Sequence, residues 1–190
     1  MKQLKSTDYA VSCWSGGKTT ELTIAPEGAK YADRDFLFRI SSATVEQEES
    51  VFTPLPDYMR WIAPLSGKMV LRHNGGEAIE LRPFAVHCFD GADKTESRGK
   101  CTDFNLMLRK GKCTGTLAAL SLRRGGALPL GFTGTHALVY TVRGRLRVLC
   151  GYREIQAEAG EALLWEGSDG AMTLIASEDA VLMTAEITVL

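Results

Sequence analysis

Histidine is scarce in this chain. His73, His87 and His136 are the only three, and none stands at His-x-His or His-x-x-x-His spacing from another. A transition metal usually needs three or four convergent nitrogen, sulfur or carboxylate ligands, so no local metal motif is present. The five cysteines (Cys13, Cys88, Cys101, Cys113 and Cys150) are odd in number and include no Cys-x-x-Cys pair. The expectation is free thiols in a reducing cytoplasm rather than a disulfide framework. No window approaches the roughly 18 apolar residues of a membrane span. The first residues, MKQLKSTDYAVSC, lack an apolar core of signal-peptide length. Net charge is −1, which points to no nucleic-acid or polyanion partner. No Gly-x-Ser-x-Gly nucleophile elbow occurs.

What is present is an ordinary globular composition, 45% hydrophobic and 24% charged over 190 residues, enough to bury a substantial core. The stretch Cys13-Trp14-Ser15-Gly16-Gly17-Lys18-Thr19-Thr20-Glu21 contains the Gly-Lys-Thr of a phosphate-binding loop. The first glycine of that motif would fall at Ser12, and the following helix is replaced by an alternating, β-branched run that stops at Pro26. That run reads as a strand, so a nucleotide-binding loop is excluded.

Strands and turns account for nearly the whole chain. Met59 to Leu65, Met69 to His73 and Glu77 to Leu81 are separated by Ser66-Gly67-Lys68 and Asn74-Gly75-Gly76. Val139 to Val142 and Arg145 to Leu149 flank Arg143-Gly144, and a later turn falls at Gly167-Ser168-Asp169-Gly170. Short strands at even spacing predict an all-β sandwich or barrel. Residues 59–93 and 138–170 repeat one order of strands and glycine turns. The repeat predicts two stacked barrels, residues 1–112 and 113–190, with strands free to cross between them.

The second half resembles the cupin barrel in the placement of Arg143-Gly144-Arg145 and of Ala159-Gly160-Glu161-Ala162-Leu163-Leu164. Metal-binding cupins carry histidines and a glutamate in these motifs. Here the glutamate place falls near Ala137 and the second-motif histidine near Gly170, and His136 stands alone.

The first half carries five local patterns in order: Trp14-Ser15-Gly16-Gly17 with Thr19 and Glu21; Phe36-Leu37-Phe38-Arg39-Ile40-Ser41; Phe52 through Arg60; Phe89-Asp90-Gly91-Ala92-Asp93; and Asp103-Phe104-Asn105-Leu106-Met107. Together they resemble the HutD/Ves family of bicupins. The chain departs from the family pattern at Thr20, at Phe52-Thr53-Pro54-Leu55-Pro56-Asp57, where a glycine is missing, and at Leu108-Arg109-Lys110. The resemblance implies a cytoplasmic, metal-free bicupin without a cofactor, with homodimerisation as a further expectation. HutD members accompany histidine utilisation and are thought to bind an intermediate such as a formylated amino acid. Ves members are associated with stress and cold response.

The residue chemistry of these motifs suits a small-molecule pocket. Gly16 and Gly17 permit close backbone approach and can leave amides facing an anion or carbonyl. Arg39 and Arg60, if they face inward, need a partner: Asp90, Asp103 or a ligand carboxylate. Asn105 offers a donor and an acceptor, suited to an amide or formyl group. Trp14 supplies an apolar wall, and Ser15 lies beside it. Each has a plainer role: Gly16-Gly17 as a turn or bulge, the charged pairs as structural bridges, and Asp103 and Asn105 as backbone caps. The phenylalanines and Met107 are assigned to the core.

The candidate ligand-binding set is therefore Trp14, Ser15, Gly16, Gly17, Arg39, Arg60, Asp90, Asp103 and Asn105. The leading reading is a non-enzymatic binding protein or sensor for a small carboxylate. The alternative is a metal-independent isomerase or hydrolase with Asp90, Asp103 or Glu21 as general base. A metal-dependent cupin enzyme and a ligand-free interaction module complete the field.

Overall fold

The structure is a computed structural model and describes residues 1–167 and 169–190; Ser168, in the turn expected near the C-terminus, lies outside that description. The described residues form strands, turns and two short 3-10 segments, with no α-helix. The chain divides into two compact units, one of residues 9–114 with residue 190, the other of residues 1–8 and 115–189.

The first unit holds two antiparallel sheets. One has six strands in the order β2 (Ala10–Trp14), β3 (Gly17–Ala25), β4 (Phe38–Val45), β11 (Cys101–Arg109), β6 (Tyr58–Gly67) and β9 (His87–Asp90). The other runs β5 (Glu49–Val51), β10 (Thr95–Arg98), β7 (Met69–His73) and β8 (Ala78–Leu81). One apolar cluster draws Val45, Ile62, Phe89 and Cys101 from the first sheet and Met69, Leu71 and Leu81 from the second. The two sheets therefore enclose a common interior, as burial of facing apolar surfaces requires.

The hairpins follow their turn chemistry. Trp14 pairs with Gly17, leaving Ser15-Gly16 as a two-residue turn between β2 and β3. A Cβ at Gly17 would fall 1.9 Å from the Thr44 carbonyl oxygen, so close strand approach requires glycine there. Gly67 plays the same part between β6 and β7, where a Cβ would meet the Lys100 carbonyl at 2.2 Å.

The second unit repeats the plan. Its five-stranded sheet runs β1 (Lys2–Leu4), β17 (Ala162–Glu166), β14 (His136–Arg143), β19 (Ala180–Val189) and β12 (Cys113–Leu122). Its four-stranded sheet runs β13 (Ala127–Leu130), β18 (Met172–Ala176), β15 (Arg145–Cys150) and β16 (Arg153–Glu158). The N-terminal residues differ from the division expected at 1–112: Lys2, Gln3 and Leu4 pair with Leu164, Leu163 and Ala162. Edge pairing with a distant strand leaves no local mark in sequence. Ala137, Val139, Leu146, Val148, Leu163, Trp165, Leu174 and Leu182 fill this unit's interior.

Candidate functional site

Buried polar side chains locate the site. Among the described residues they are Arg39, Ser41, Arg60, Thr95, Ser97, Asp103, Asn105 and Thr141, and only Thr141 belongs to the second unit. Five of the others, Arg39, Ser41, Arg60, Asp103 and Asn105, line one cavity of about 350 Å³ in the first unit, within the size range of small-molecule sites.

Strand alternation builds its floor. Arg39, Ser41, Ala43 and Val45 are successive odd positions of β4, and Asp103, Asn105 and Met107 are successive odd positions of β11. Residues two apart share a sheet face, so each series turns its side chains into the cavity. The intervening Phe38, Ile40, Phe104 and Leu106 are buried on the opposite face. Ser12 and Trp14 of β2 and Ser50 and Val51 of β5 complete the lining at the edges of the two sheets, with Tyr31, Phe52 and Thr53 contributed by connecting segments.

The two arginines are held differently. Arg39 donates from Nε to Glu21 Oε2 at 2.5 Å and from a terminal nitrogen to Ser41 Oγ at 3.1 Å. Its guanidinium also lies over the Tyr31 ring, 4.5 Å from the centroid. Its charge is thus neutralised within the protein. Arg60 packs between the Phe52 and Phe89 rings, at 5.0 and 5.1 Å. Its polar contact is one long hydrogen bond to the Thr53 carbonyl, 3.5 Å, and its buried Nε has no partner. Burial lowers its pKa, with the Arg39 charge adding in the same direction.

Asp103 is 3% exposed. Burial pushes its carboxyl up to about 7, against the opposing pull of the Ala43 amide and the Arg60 charge. Asn105 donates from Nδ2 to Asp103 Oδ1, while its own Oδ1 is buried without a partner. The cavity therefore presents an unpaired cationic donor, a neutral acceptor and a carboxyl that titrates near neutrality. Unsatisfied buried polar atoms are costly in a finished core, and a ligand bearing an anion and a hydrogen-bond donor meets both.

The sequence candidates separate by geometry. Trp14, Arg39, Arg60, Asp103 and Asn105 converge on the cavity, whereas Ser15, Gly16, Gly17 and Asp90 do not line it. Gly16 and Gly17 serve the hairpin: the Gly16 carbonyl accepts from the Glu46 amide at 2.8 Å, and the Trp14 ring lies over Gly16. The Ser15 carbonyl accepts from Gln47 Nε2. Asp90 accepts from Lys110 Nζ at 2.5 Å and from the Ala92 amide, and so caps a turn outside the cavity. Arg39 finds Glu21, not Asp90 or Asp103, as its ion-pair partner. Tyr31, Phe52 and Thr53 were not candidates. Ser41 was legible, being two residues beyond Arg39 on the same strand. Tyr31 left no signal, because a connecting segment brings it there.

Elsewhere, His73 and His87 meet although the sequence places them in different segments. Thr95 Oγ1 lies 2.9 Å from His73 Nδ1. Among the described residues, no three His, Cys, Asp or Glu side chains converge as metal ligands. All five cysteines are free, with Cys13 and Cys88 exposed. Among the described residues no helix is long and apolar enough to cross a membrane.

The HutD family profile matches residues 6–183. The chain belongs to the HutD family. No curated protein matches the sequence significantly. Among solved structures, this HutD-family chain is similar to a conserved protein of unknown function from Pseudomonas aeruginosa PAO1. The two are 26% identical, with 98% of each chain covered and a TM-score of 0.88. HutD from Pseudomonas fluorescens SBW25, solved in a formate condition, is 24% identical, with 100% of this chain and 98% of that one covered and a TM-score of 0.79. Oxalate decarboxylase from Lactobacillus farciminis, in complex with formate, is 8% identical, with 99% of this chain and 88% of that one covered and a TM-score of 0.72. The last two likenesses are of fold, and they make the chain an all-β bicupin with one cupin-type barrel in each unit.

Proposed function

We propose that the cavity of the first barrel binds a small carboxylate metabolite, of the formylated amino-acid class, in a cytoplasmic protein that regulates amino-acid utilisation or a stress response. One observation carries the reading. The buried Arg60 Nε and the buried Asn105 Oδ1, one a donor and the other an acceptor, lie unpartnered in groups that line one 350 Å³ cavity. A carboxylate satisfies the guanidinium, and an N–H on the same ligand satisfies the amide oxygen. Membership of the HutD family supports the link to histidine utilisation.

A second reading has its own support. A carboxyl with a pKa near 7 inside a cavity suits general-base chemistry at neutral pH, and Asp103 is the carboxylate that lines this one. In that reading the ligand is a substrate of a metal-independent isomerase or hydrolase.

Calorimetric titration with formate, N-formylglutamate, glutamate, urocanate and histidine tests the first reading, with Arg60→Ala as control. Micromolar binding of a carboxylate that the variant abolishes is expected. Absence of heat from the whole panel overturns it. Recovery of the bound compound unchanged after prolonged incubation separates the binding protein from the enzyme.

A further inference from the structure

Building on the carboxylate reading, we propose that the cavity takes up one proton with each carboxylate it binds, and that the proton settles on Asp103.

The charge inventory of the cavity leads there. Arg39 is matched by Glu21 at 2.5 Å. The remaining cation in the lining is Arg60, and the carboxyl that lines the same cavity is Asp103. With Asp103 ionised, the empty site is balanced. A ligand carboxylate docking on Arg60 adds a second anion to the same cavity. Two carboxylates sharing one cation in a buried space cannot both remain ionised cheaply. The ligand has the lower intrinsic pKa, about 4 for a simple carboxylate, so Asp103 is the group that accepts the proton. One anion and one proton enter, and nothing leaves.

The surroundings of Asp103 favour this assignment. From β4 the facing groups are Arg39, already paired, and the Ala43 amide; from β6 it is Arg60; from β11 they are Asn105 and Cys101. Glu21 on β3 is engaged by Arg39, and Tyr31 lies beneath that guanidinium. The Cys101 thiol is pushed up to about 12 by burial and by Asp103 itself. Burial holds His73 and His87 below their ordinary values, so neither gains charge above pH 7. Asp103, near 7, is the facing group poised to change charge in that range. Once protonated it becomes a donor, able to serve a ligand oxygen.

The test is calorimetry of the full chain with N-formylglutamate, and with sodium formate as the minimal carboxylate, from pH 6 to 9. Wild-type affinity is expected to hold up to about pH 7 and then to fall about tenfold per pH unit, as one linked proton requires. At pH 8 the binding heat should change with the ionisation enthalpy of the buffer, phosphate against Tris, with a slope close to one proton. Asp103→Asn should bind with a flat pH profile and no buffer dependence. If that variant does not fold, the buffer comparison on the wild-type chain decides alone. Wild-type binding with a flat profile and buffer-independent heat overturns proton uptake and leaves the carboxylate pocket standing. No binding of either compound at any pH overturns both.

Discussion

The Nε2 atoms of His73 and His87 lie 2.9 Å apart, joining β7 of one sheet to β9 of the other. Their ring centroids are 5.1 Å apart with 22° between the planes, so the rings meet edge to edge and share one proton. Thr95 Oγ1 lies 2.9 Å from His73 Nδ1 and 3.3 Å from the Asp93 carbonyl oxygen. Burial lowers both pKa values, and for His87 the His73 ring lowers it further. A histidine whose folded pKa is depressed contributes stability above its unfolded value, near 6.5, and loses it as pH falls. The pair should lower the melting temperature between pH 7 and pH 5 relative to His87→Gln, in which part of that contribution is absent. Parallel profiles for the two proteins would refute a pH-dependent role for the pair.

Asp103 acts with the opposite sign. Its folded pKa, about 7, lies above the unfolded carboxylate value. Its contribution is therefore fully present below about pH 4 and is lost as pH rises through 7. Chemical denaturation of the ligand-free chain at pH 5, 6, 7 and 8 should show wild-type stability declining relative to Asp103→Asn. Equal slopes would mean that the carboxyl is ionised across the range.

Asn105 should set ligand selectivity rather than anion affinity. Its buried Oδ1 awaits a donor, and a hydrogen bond of this kind contributes about 1 kcal/mol. Asn105→Ala should weaken N-formylglutamate several-fold, by comparison of titration affinities, while formate, which has no N–H, changes less. Equal losses for both compounds would place the amide's role in positioning Asp103.

The two glycines of the β2–β3 hairpin should respond unequally to alanine. At Gly17 the new Cβ meets the Thr44 backbone oxygen at 1.9 Å, which the sheet cannot yield without separating its strands. A loss of about 3 kcal/mol or more is expected in denaturant titration. At Gly16 the nearest atoms belong to the Trp14 side chain, which can turn away. Gly16→Ala should fold normally and alter Trp14 fluorescence, since that indole is 41% exposed at the cavity lining. Comparable destabilisation by both changes would contradict this division of roles.

Much of the architecture was legible in the residues themselves. Alternation and glycine turns specify strands, because side chains of a strand alternate faces and tight hairpins need backbone freedom. Five ordered motifs marked the family, and the repeat marked two barrels. The inward series Arg39-Ser41 and Asp103-Asn105 follow from the same period of two. Tertiary structure alone decided which charges meet. Glu21 claims Arg39 because β3 pairs with β4, setting Glu21 against Ser41 across the strands. Asp90, promising by composition, is drawn off by Lys110. Tyr31 reaches the cavity from a connecting segment, and the two histidines meet across sheets. Such pairings depend on register and on the approach of segments far apart in the chain, and local sequence encodes neither. The unpaired atoms of Arg60 and Asn105 are the clearest case, because whether a buried donor or acceptor lacks a partner is a property of everything packed around it.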